Sequence, residues 1–355
     1  SYQFQNFGKT SNRGIELSVN VDVINKGDFR FNVGAIYNYN RNKLDELPNA
    51  DQYLYSSYWG SSSLVPTNDY MFVEGKAIGL VRGFISEGYY TVDDFNYTNG
   101  QYVLKEGVPD ITKALTATYM HPYDLPAGQT AFPGAAKFRD VDESGTVDLD
   151  DATCLGEVMP RHTGSFQLNF NYKNFDLSTN FNWTAGGKVY NVAAMINASG
   201  QEFDGIGAQR ASWVADAFKV YNVNAAGDLY AVTNPDELRA LNANAKYHLP
   251  YHQSGITSSE WLENGSYLRL QTLTLGYTLP KNWLTKVHVD KIRLYLTATN
   301  LFTITGYSGI DPEVNANPTG QSGFYSDLRI FPTLNMDFGT YPRARTFTFG
   351  ANITF

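Results

Sequence analysis

The sequence predicts an all-β fold, in which seven antiparallel strands form part of a transmembrane β-barrel with long loops at one end. Three observations support this prediction. Apolar side chains recur at every second position, the runs so defined exceed the five or six residues usual for a globular strand, and the connections between them alternate between short and long. About ten alternating residues suffice for a tilted strand to cross a bilayer.

The strands form three hairpins and one last strand. In the first hairpin, Ile15, Leu17, Val19 and their successors alternate with polar residues, and a turn containing Gly27 follows. Asn, Thr, Ser and Gln occupy most intervening positions, which suits a wet barrel lumen on one face and lipid on the other. The seven predicted strands are residues 11–24, 29–41, 164–173, 175–188, 265–279, 291–303 and 345–355.

The connections within the hairpins are short, whereas those between them, residues 42–161, 189–264 and 304–343, are long. Long structureless loops are uncommon in compact domains, but outer-membrane barrels combine short periplasmic turns with long extracellular loops. Bacterial barrels have an even number of strands, so seven strands entered from outside imply further strands upstream. The start at Ser1, without an initiator Met or signal peptide, fits the interior of a longer protein. We therefore expect residues 1–355 to be the C-terminal portion of a barrel.

Composition excludes several classes of protein. Charged residues make up 17% of the chain, aromatic residues 15%, and the formal net charge is −8. A nucleic-acid-binding surface would need clustered Lys and Arg, so no nucleic-acid partner is expected. Cys154 is the single cysteine, which rules out an internal disulfide. Alternation alone leaves open a soluble all-β protein, such as a sandwich or a jelly roll.

An acidic segment, residues 140–151, has the spacing of an EF-hand-type calcium loop. Gly145 permits the sharp turn, and Asp151 stands where Glu is usual, so we expect modest affinity and a structural role. No helices flank the segment, so an EF-hand fold is not expected. The alternative is a solvated acidic turn. The predicted oxygen ligands come from Asp140, Asp142, Ser144, Thr146, Asp148 and Asp151.

A cluster of aromatic residues in the first long loop is a candidate substrate surface. Its rings could stack on sugar faces or clamp a peptide, and the alternative is packing against neighbouring loops or a partner. The candidate residues are Tyr53, Tyr55, Tyr58 and Trp59. The sequence has neither a nucleophile elbow nor a phosphate-binding loop, and we expect no enzyme activity.

The last hundred residues contain an ordered series of motifs: SSEWLENGSYLRL at residues 258–270, TNLFTITGYSGIDPEV at residues 299–314, and the close from Tyr341 to Phe355. The series resembles the SusC/RagA family of TonB-dependent outer-membrane transporters. The first segment is similar to the family motif S-x-x-W-L-E-D-G-S-Y-L-R-L. Upstream, the resemblance is patchier, over residues 79–90, 138–156 and 172–178, and between Val189 and Ser258 little matches.

The resemblance implies a barrel of about 22 strands with a plug in its lumen. It implies TonB-dependent import of a large nutrient, an oligosaccharide or an oligopeptide, across the bacterial outer membrane. It also implies a SusD-like surface lipoprotein as a lid and a dimer of such pairs. The plug, the remaining strands and the segment that contacts TonB lie N-terminal in the family, outside this chain.

Two other functions stay open at this point. One is a soluble β-rich glycan-binding module with a dockerin-like calcium loop. The other is a passive barrel or adhesin without energy coupling. Dependence on detergent separates the first from a transporter, and a plug with a TonB-contacting segment separates the second.

Overall fold

The computed structural model describes residues 8–48, 51–57, 64–116, 121–199, 211–249, 255–285, 289–314 and 334–355. Its main element is one antiparallel sheet in which each of seven long strands pairs with the next along the chain. The predicted antiparallel fold of about seven strands is thereby confirmed. The strands are β1 (Lys9–Lys26), β2 (Phe29–Glu46), β3 (His162–Tyr172), β4 (Phe175–Ala185), β5 (Tyr267–Thr278), β6 (Lys291–Thr305) and β7 (Thr346–Thr354).

The strand ends differ from the expected ones where the long connections begin. β2 continues to Glu46, beyond the predicted end at residue 41, and β4 ends at Ala185, short of residue 188. A separate strand, Lys188–Asn191, takes up the chain after the turn at Gly186 and Gly187, which both have positive φ. Periodicity cannot locate these ends, because residues beyond the membrane keep alternating while they pair.

The two faces of this sheet, called the wall below, differ in chemistry. One register row is apolar in all seven strands and consists of Ile24, Phe31, Phe170, Leu177, Leu275, Leu296 and Phe349. A neighbouring row on the other face is polar in all seven and consists of Asp22, Asn32, Asn169, Ser178, Thr274, Thr297 and Thr348. One face therefore suits lipid and the other water.

Side chains on the polar face bond to one another across strands. The Asn32 amide donates to Asn20 Oδ1 at 2.7 Å, and the Thr274 and Thr297 hydroxyls lie 2.9 Å apart. Arg293 Nε donates to Asp176 Oδ1 at 2.9 Å. These contacts satisfy polar groups of the lumen face within the wall itself.

Short connections lie at one end of the wall. Gly27 with Asp28 joins β1 to β2, Lys173 with Asn174 joins β3 to β4, and a helical turn α5 (Lys281–Leu284) lies between β5 and β6. Gly27 has φ 57°, a conformation that glycine adopts without the penalty of a Cβ atom. An aromatic row at this end, as expected for a membrane interface, contains Phe29, Tyr172, Phe175 and Tyr277.

The long connections fold at the opposite end into a body that we call the cap. Its helices are α1 (Lys113–Thr116), α2 (Val192–Ser199), α3 (Ala211–Asp216) and α4 (Pro235–Leu241). Among the described residues of the cap, single turns of 3₁₀ helix are Val92–Asp94, Leu149–Asp151 and Ser259–Trp261. The cap strands are Gln52–Tyr55, Tyr70–Val73, Leu80–Gly83, Ser86–Tyr89, Phe95–Thr98, Gln101–Leu104, Asp110–Ile111, Ala136–Phe138, Thr146–Val147, Thr153–Glu157, Lys188–Asn191, Tyr221–Val223, Leu229–Ala231, Leu262–Asn264 and Met336–Asp337.

The three long connections share their cores, so they form one body. Phe84 pairs with Ser258, and the Tyr190 amide donates to the Asn335 carbonyl at 2.9 Å. The two larger apolar clusters among the described residues lie in the cap, one around Phe84, Tyr90, Phe138 and Leu238, the other around Tyr70, Val81, Tyr190, Met195 and Trp261. Within the described residues, no helix is long and apolar enough to span a membrane.

The chemistry of the two wall faces can be tested at adjacent residues. Leu296→Arg places a charge on the apolar face, and we expect it to destabilise the folded barrel by about 2–4 kcal/mol if that face meets lipid. The control Thr297→Arg lies on the polar face and loses one hydrogen bond, a change of about 1 kcal/mol. Denaturant midpoints of the full-length protein in lipid vesicles measure both. Equal destabilisation by the two variants would contradict the assignment of faces.

Candidate functional site

The predicted calcium loop is anchored in the cap by its neighbours. Thr146–Val147 pairs in parallel with Asp110–Ile111, the Asp110 amide donates to the Gly145 carbonyl at 3.1 Å, and the Val147 side chain is fully buried. Glu143 and Gly145 both have positive φ, which gives the loop its sharp turn. The loop thus leaves the cap core at Asp140 and returns to it at Val147.

The structure brings three of the six predicted ligands together. Ligand oxygens of Asp140, Asp142 and Asp151 all lie within 4.8 Å of one another. Two oxygens bound to one calcium ion at 2.3–2.6 Å are separated by at most about 5 Å, so the spacing fits that ion. These carboxylates also accept backbone amides: Asp140 Oδ2 from Gly145 at 2.7 Å, and Asp151 Oδ2 from Asp148 at 2.8 Å.

The other three predicted ligands have local roles. Ser144 Oγ donates to the Thr146 carbonyl at 3.0 Å. Asp148 Oδ1 accepts the Asp150 amide at 2.8 Å and caps the 3₁₀ turn Leu149–Asp151. Interactions with the Ser144 side chain and amide lower the pKa of the Asp142 carboxyl, so it is ionised at neutral pH. Whether the loop holds a cation stays a prediction.

The predicted aromatic substrate cluster falls partly in the cap core. The Tyr55 side chain is 5% exposed, and its ring stacks on Phe72 at 4.8 Å and on Tyr70 at 5.5 Å between ring centroids. Tyr53 is half-buried against the same cluster, and Tyr58 and Trp59 lie outside the described residues. Ligand contact by these residues stays a prediction, and the burial of Tyr55 favours the packing alternative.

A cavity of about 180 Å³ in the cap was not predicted from the sequence. We call it the aromatic cavity. Trp213 stacks on Tyr247 at 3.9 Å between ring centroids and lies 5.2 Å from Trp261. Two carboxylates, Glu260 and Glu263, share this space with the three rings. The remaining lining residues are Ala194, Ala198 and Ser308.

The two carboxylates of the aromatic cavity differ in their partners. Glu263 accepts hydrogen bonds from the Asn191 amide at 2.7 Å and from the Ser308 amide and hydroxyl, both at 2.7 Å. The nearest cationic candidate to Glu260 is His248, whose Nε2 lies 3.7 Å from Oε2. Burial raises the pKa of Glu260 to about 7 and lowers that of His248 to about 4. His248 is therefore neutral at pH 7, and Glu260 is poised between its two protonation states.

Charged residues from the C-terminal motifs meet in a second cluster. Arg269 on β5 is 2% exposed and pairs with Asp311 at 2.5 Å and with Glu313 at 3.6 Å. Glu313 in turn pairs with Arg343 at 2.7 Å. These ion pairs fix the connection after β6 to the wall, so we assign these residues a structural role.

Comparison with known proteins identifies the relatives. The chain is 29% identical over 356 residues to the TonB-dependent receptor P3 of Formosa agariphila. It is 24% identical over 360 residues to the TonB-dependent receptor SusC of Bacteroides thetaiotaomicron. This chain is SusC-like over its whole length. No model of a protein family matches it.

Solved structures agree on the fold of this SusC-like chain. The RagAB peptide transporter superposes with a TM-score of 0.62 at 21% identity, over 99% of the chain. The open-open state of the RagAB peptide importer also gives a TM-score of 0.62, at 19% identity. The wall is therefore part of an outer-membrane β-barrel, and the soluble sandwich or jelly roll is excluded as its fold.

The SusC-like chain accounts for only part of such a protein. It spans 30% of the length of receptor P3, 27% of SusC and 30% of the RagAB chain. The motif at residues 258–270 nevertheless includes two lining residues of the aromatic cavity, Trp261 and Glu263, so part of the cavity could have been found from the sequence. Trp213 and Tyr247 come from the segment in which little resemblance was found, so sequence alone could not bring them together.

The burial of His248 and of Glu260 predicts a pH dependence. Free His and Glu have pKa values of 6.5 and 4.5, whereas in the fold the values are about 4 and about 7. Between pH 4.5 and 6.5, one proton is bound to the pair in both the folded and the unfolded chain. The pair therefore leaves the stability of the cap almost independent of pH in that range.

Glu260→Gln removes this compensation. His248 has a depressed folded pKa, so the unfolded chain then binds one more proton between pH 4 and 6.5, and stability is lost as the pH falls. We expect the opening free energy of strand Leu262–Asn264 to rise by about 3 kcal/mol from pH 4 to pH 7 in the variant. Hydrogen-exchange protection factors, corrected for intrinsic rates, measure this. If protection does not change with pH in either protein, the compensation between His248 and Glu260 is wrong.

Proposed function

We propose that the full-length protein imports a large nutrient across the outer membrane in a TonB-dependent reaction. The wall carries this proposal: one apolar row and one polar row cross all seven strands, so the sheet separates lipid from an aqueous lumen. Support comes from relatives that are named TonB-dependent receptors and from the RagAB peptide transporter fold. The cargo class is an oligopeptide or an oligosaccharide.

The cap supports a capture step in this proposal. Its shared cores make the three long connections one body at the outer end of the wall, where cargo would arrive. We propose a SusD-like surface lipoprotein as the lid above it, in a dimer of such pairs, and TonB as the source of energy through the part of the protein that precedes this chain. The wall itself does no chemistry in this mechanism, and we propose no enzymatic role.

Uptake in the native bacterium tests the proposal. Deletion of the gene should abolish accumulation of one class of labelled cargo, peptides or oligosaccharides above porin size, and complementation should restore it. Deletion of TonB should abolish the same uptake, because the plug would then stay in place. Uptake that persists without TonB would overturn energy coupling and favour the passive barrel. Unchanged uptake of both cargo classes in the gene deletion would overturn the transport proposal.

We further propose that the loop at residues 140–151 holds a structural calcium ion. Asp140, Asp142 and Asp151 supply the carboxylates, with Ser144, Thr146 and Asp148 as the remaining oxygens. The spacing of the three carboxylates supports the proposal, and so does the burial of Asp151, which is fully enclosed. A bound cation would offset the mutual repulsion of carboxylates held this close.

Calcium removal is the corresponding experiment. Chelation should increase hydrogen exchange in residues 138–156 of the full-length protein about tenfold, and added Ca²⁺ should reverse the increase. Asp142→Asn should make exchange high and insensitive to Ca²⁺, whereas the exposed control Asp51→Asn should behave as the wild type. Exchange that ignores Ca²⁺ in the wild type would identify the loop as a solvated acidic turn.

A further inference from the structure

The size of the aromatic cavity limits what it can hold. Its volume is about 180 Å³, and a cavity of about 150 Å³ is known to accept a benzene molecule. It therefore accommodates one side chain or chain terminus, not a string of sugar rings. Glu260 keeps 23% of its side-chain surface accessible, so the side chain is not sealed from solvent.

The charge inside the aromatic cavity has one sign. Glu260 and Glu263 are its charged lining residues, and no Lys or Arg is among the described residues that line it. Glu263 is neutralised in part by three hydrogen bonds from Asn191 and Ser308. Glu260 receives no hydrogen bond from any residue of the described ranges, and His248 at 3.7 Å is too distant to donate one.

The aromatic rings complement the same kind of ligand. Cations are attracted to the faces of Trp and Tyr rings within about 6 Å, and the attraction strengthens when water is excluded. Trp213, Tyr247 and Trp261 line the same cavity as Glu260. A carboxylate that accepts no hydrogen bond from the described residues and shares its cavity with three rings fits an ammonium group, which has three donors and a positive charge.

We propose that the aromatic cavity binds the ammonium group of a peptide cargo, with Glu260 as its counter-ion. This inference rests on the proposed import function, since it names the chemistry of the cargo. The ammonium group can come from a lysine side chain or from a free N-terminus. Binding draws the Glu260 carboxyl toward its ionised form, because a cation at hydrogen-bond distance stabilises the carboxylate.

Direct binding to the purified full-length protein tests the cavity apart from transport. The probe is n-butylammonium, which has the size and charge of a lysine side chain, and 1-butanol is its neutral counterpart. We expect saturable binding of n-butylammonium by calorimetry at pH 7.5, at least about tenfold weaker in Glu260→Gln. Glu106→Gln, which removes an exposed carboxylate elsewhere in the cap, should bind as the wild type.

Several outcomes of this titration would overturn the proposal. They are no saturable binding of n-butylammonium, equal binding of 1-butanol, or equal affinities of wild type and Glu260→Gln. The level of Glu260→Gln in the outer membrane and its resistance to protease show whether it is folded. If it is not, Glu260→Asp keeps the charge and should restore both folding and binding, and a folded Glu260→Asp that does not bind also counts against the proposal.

Peptide competition then separates the two sources of ammonium. Acetyl-Ala-Ala-Lys-Ala-Ala-amide should displace n-butylammonium if the lysine side chain enters, and Ala₅-amide with a free N-terminus if the terminus enters. The doubly blocked acetyl-Ala₅-amide should displace nothing. Failure of both amine-bearing peptides would overturn the peptide assignment. TonB-dependent uptake that persists for oligosaccharides alone would leave the import function intact while overturning this inference.

Discussion

The parity of strand register is the constraint on which the rest of the molecule depends. Side chains alternate at every residue, so a shift of one position between two neighbouring strands would bring the polar residues of one to the lipid face. The row from Ile24 to Phe349 is apolar in every strand, which requires all six pairings to keep the same parity. In a bilayer an unpaired backbone group or a misplaced amide has no water to bond, so the penalty for slipping is high.

The fixed register also fixes the strand ends from which the long connections of the cap begin. The long connections leave and re-enter the wall at set heights, and the buried ion pair of Arg269 with Asp311 holds the connection after β6 against it. Arg269 is almost fully buried, so removing Asp311 would leave its charge in a water-poor site with only Glu313, at 3.6 Å, to compensate it. Such a pair specifies one arrangement of the connection more strongly than it stabilises the fold. The register of the wall therefore sets the positions from which the connections of the cap fold.

Sequence alone could predict the wall because its signal is local. Alternation between Phe166 and Tyr172 and between Phe175 and Trp183 needs no knowledge of distant residues, and the turn at Lys173 is visible beside them. The cap was predicted only as long loops, because its strands are two to five residues long and pair across large separations, as Phe84 does with Ser258. Three carboxylates of the acidic loop could be predicted to meet because they lie within twelve consecutive positions.

The aromatic cavity shows how a shared scaffold can carry a ligand preference of its own. The resembling motif specifies Trp261 and Glu263 but leaves open the residue at position 260, immediately before Trp261. Trp261 packs in the cap core, and Glu263 accepts hydrogen bonds from Asn191 and Ser308, so both residues have a structural role. Glu260 shares the same short segment and is held by it, yet its carboxylate accepts no hydrogen bond from the part of the chain that the structure describes. A residue that is positioned by structural neighbours but whose carboxylate does not hold the fold together can change with the ligand while the fold stays the same.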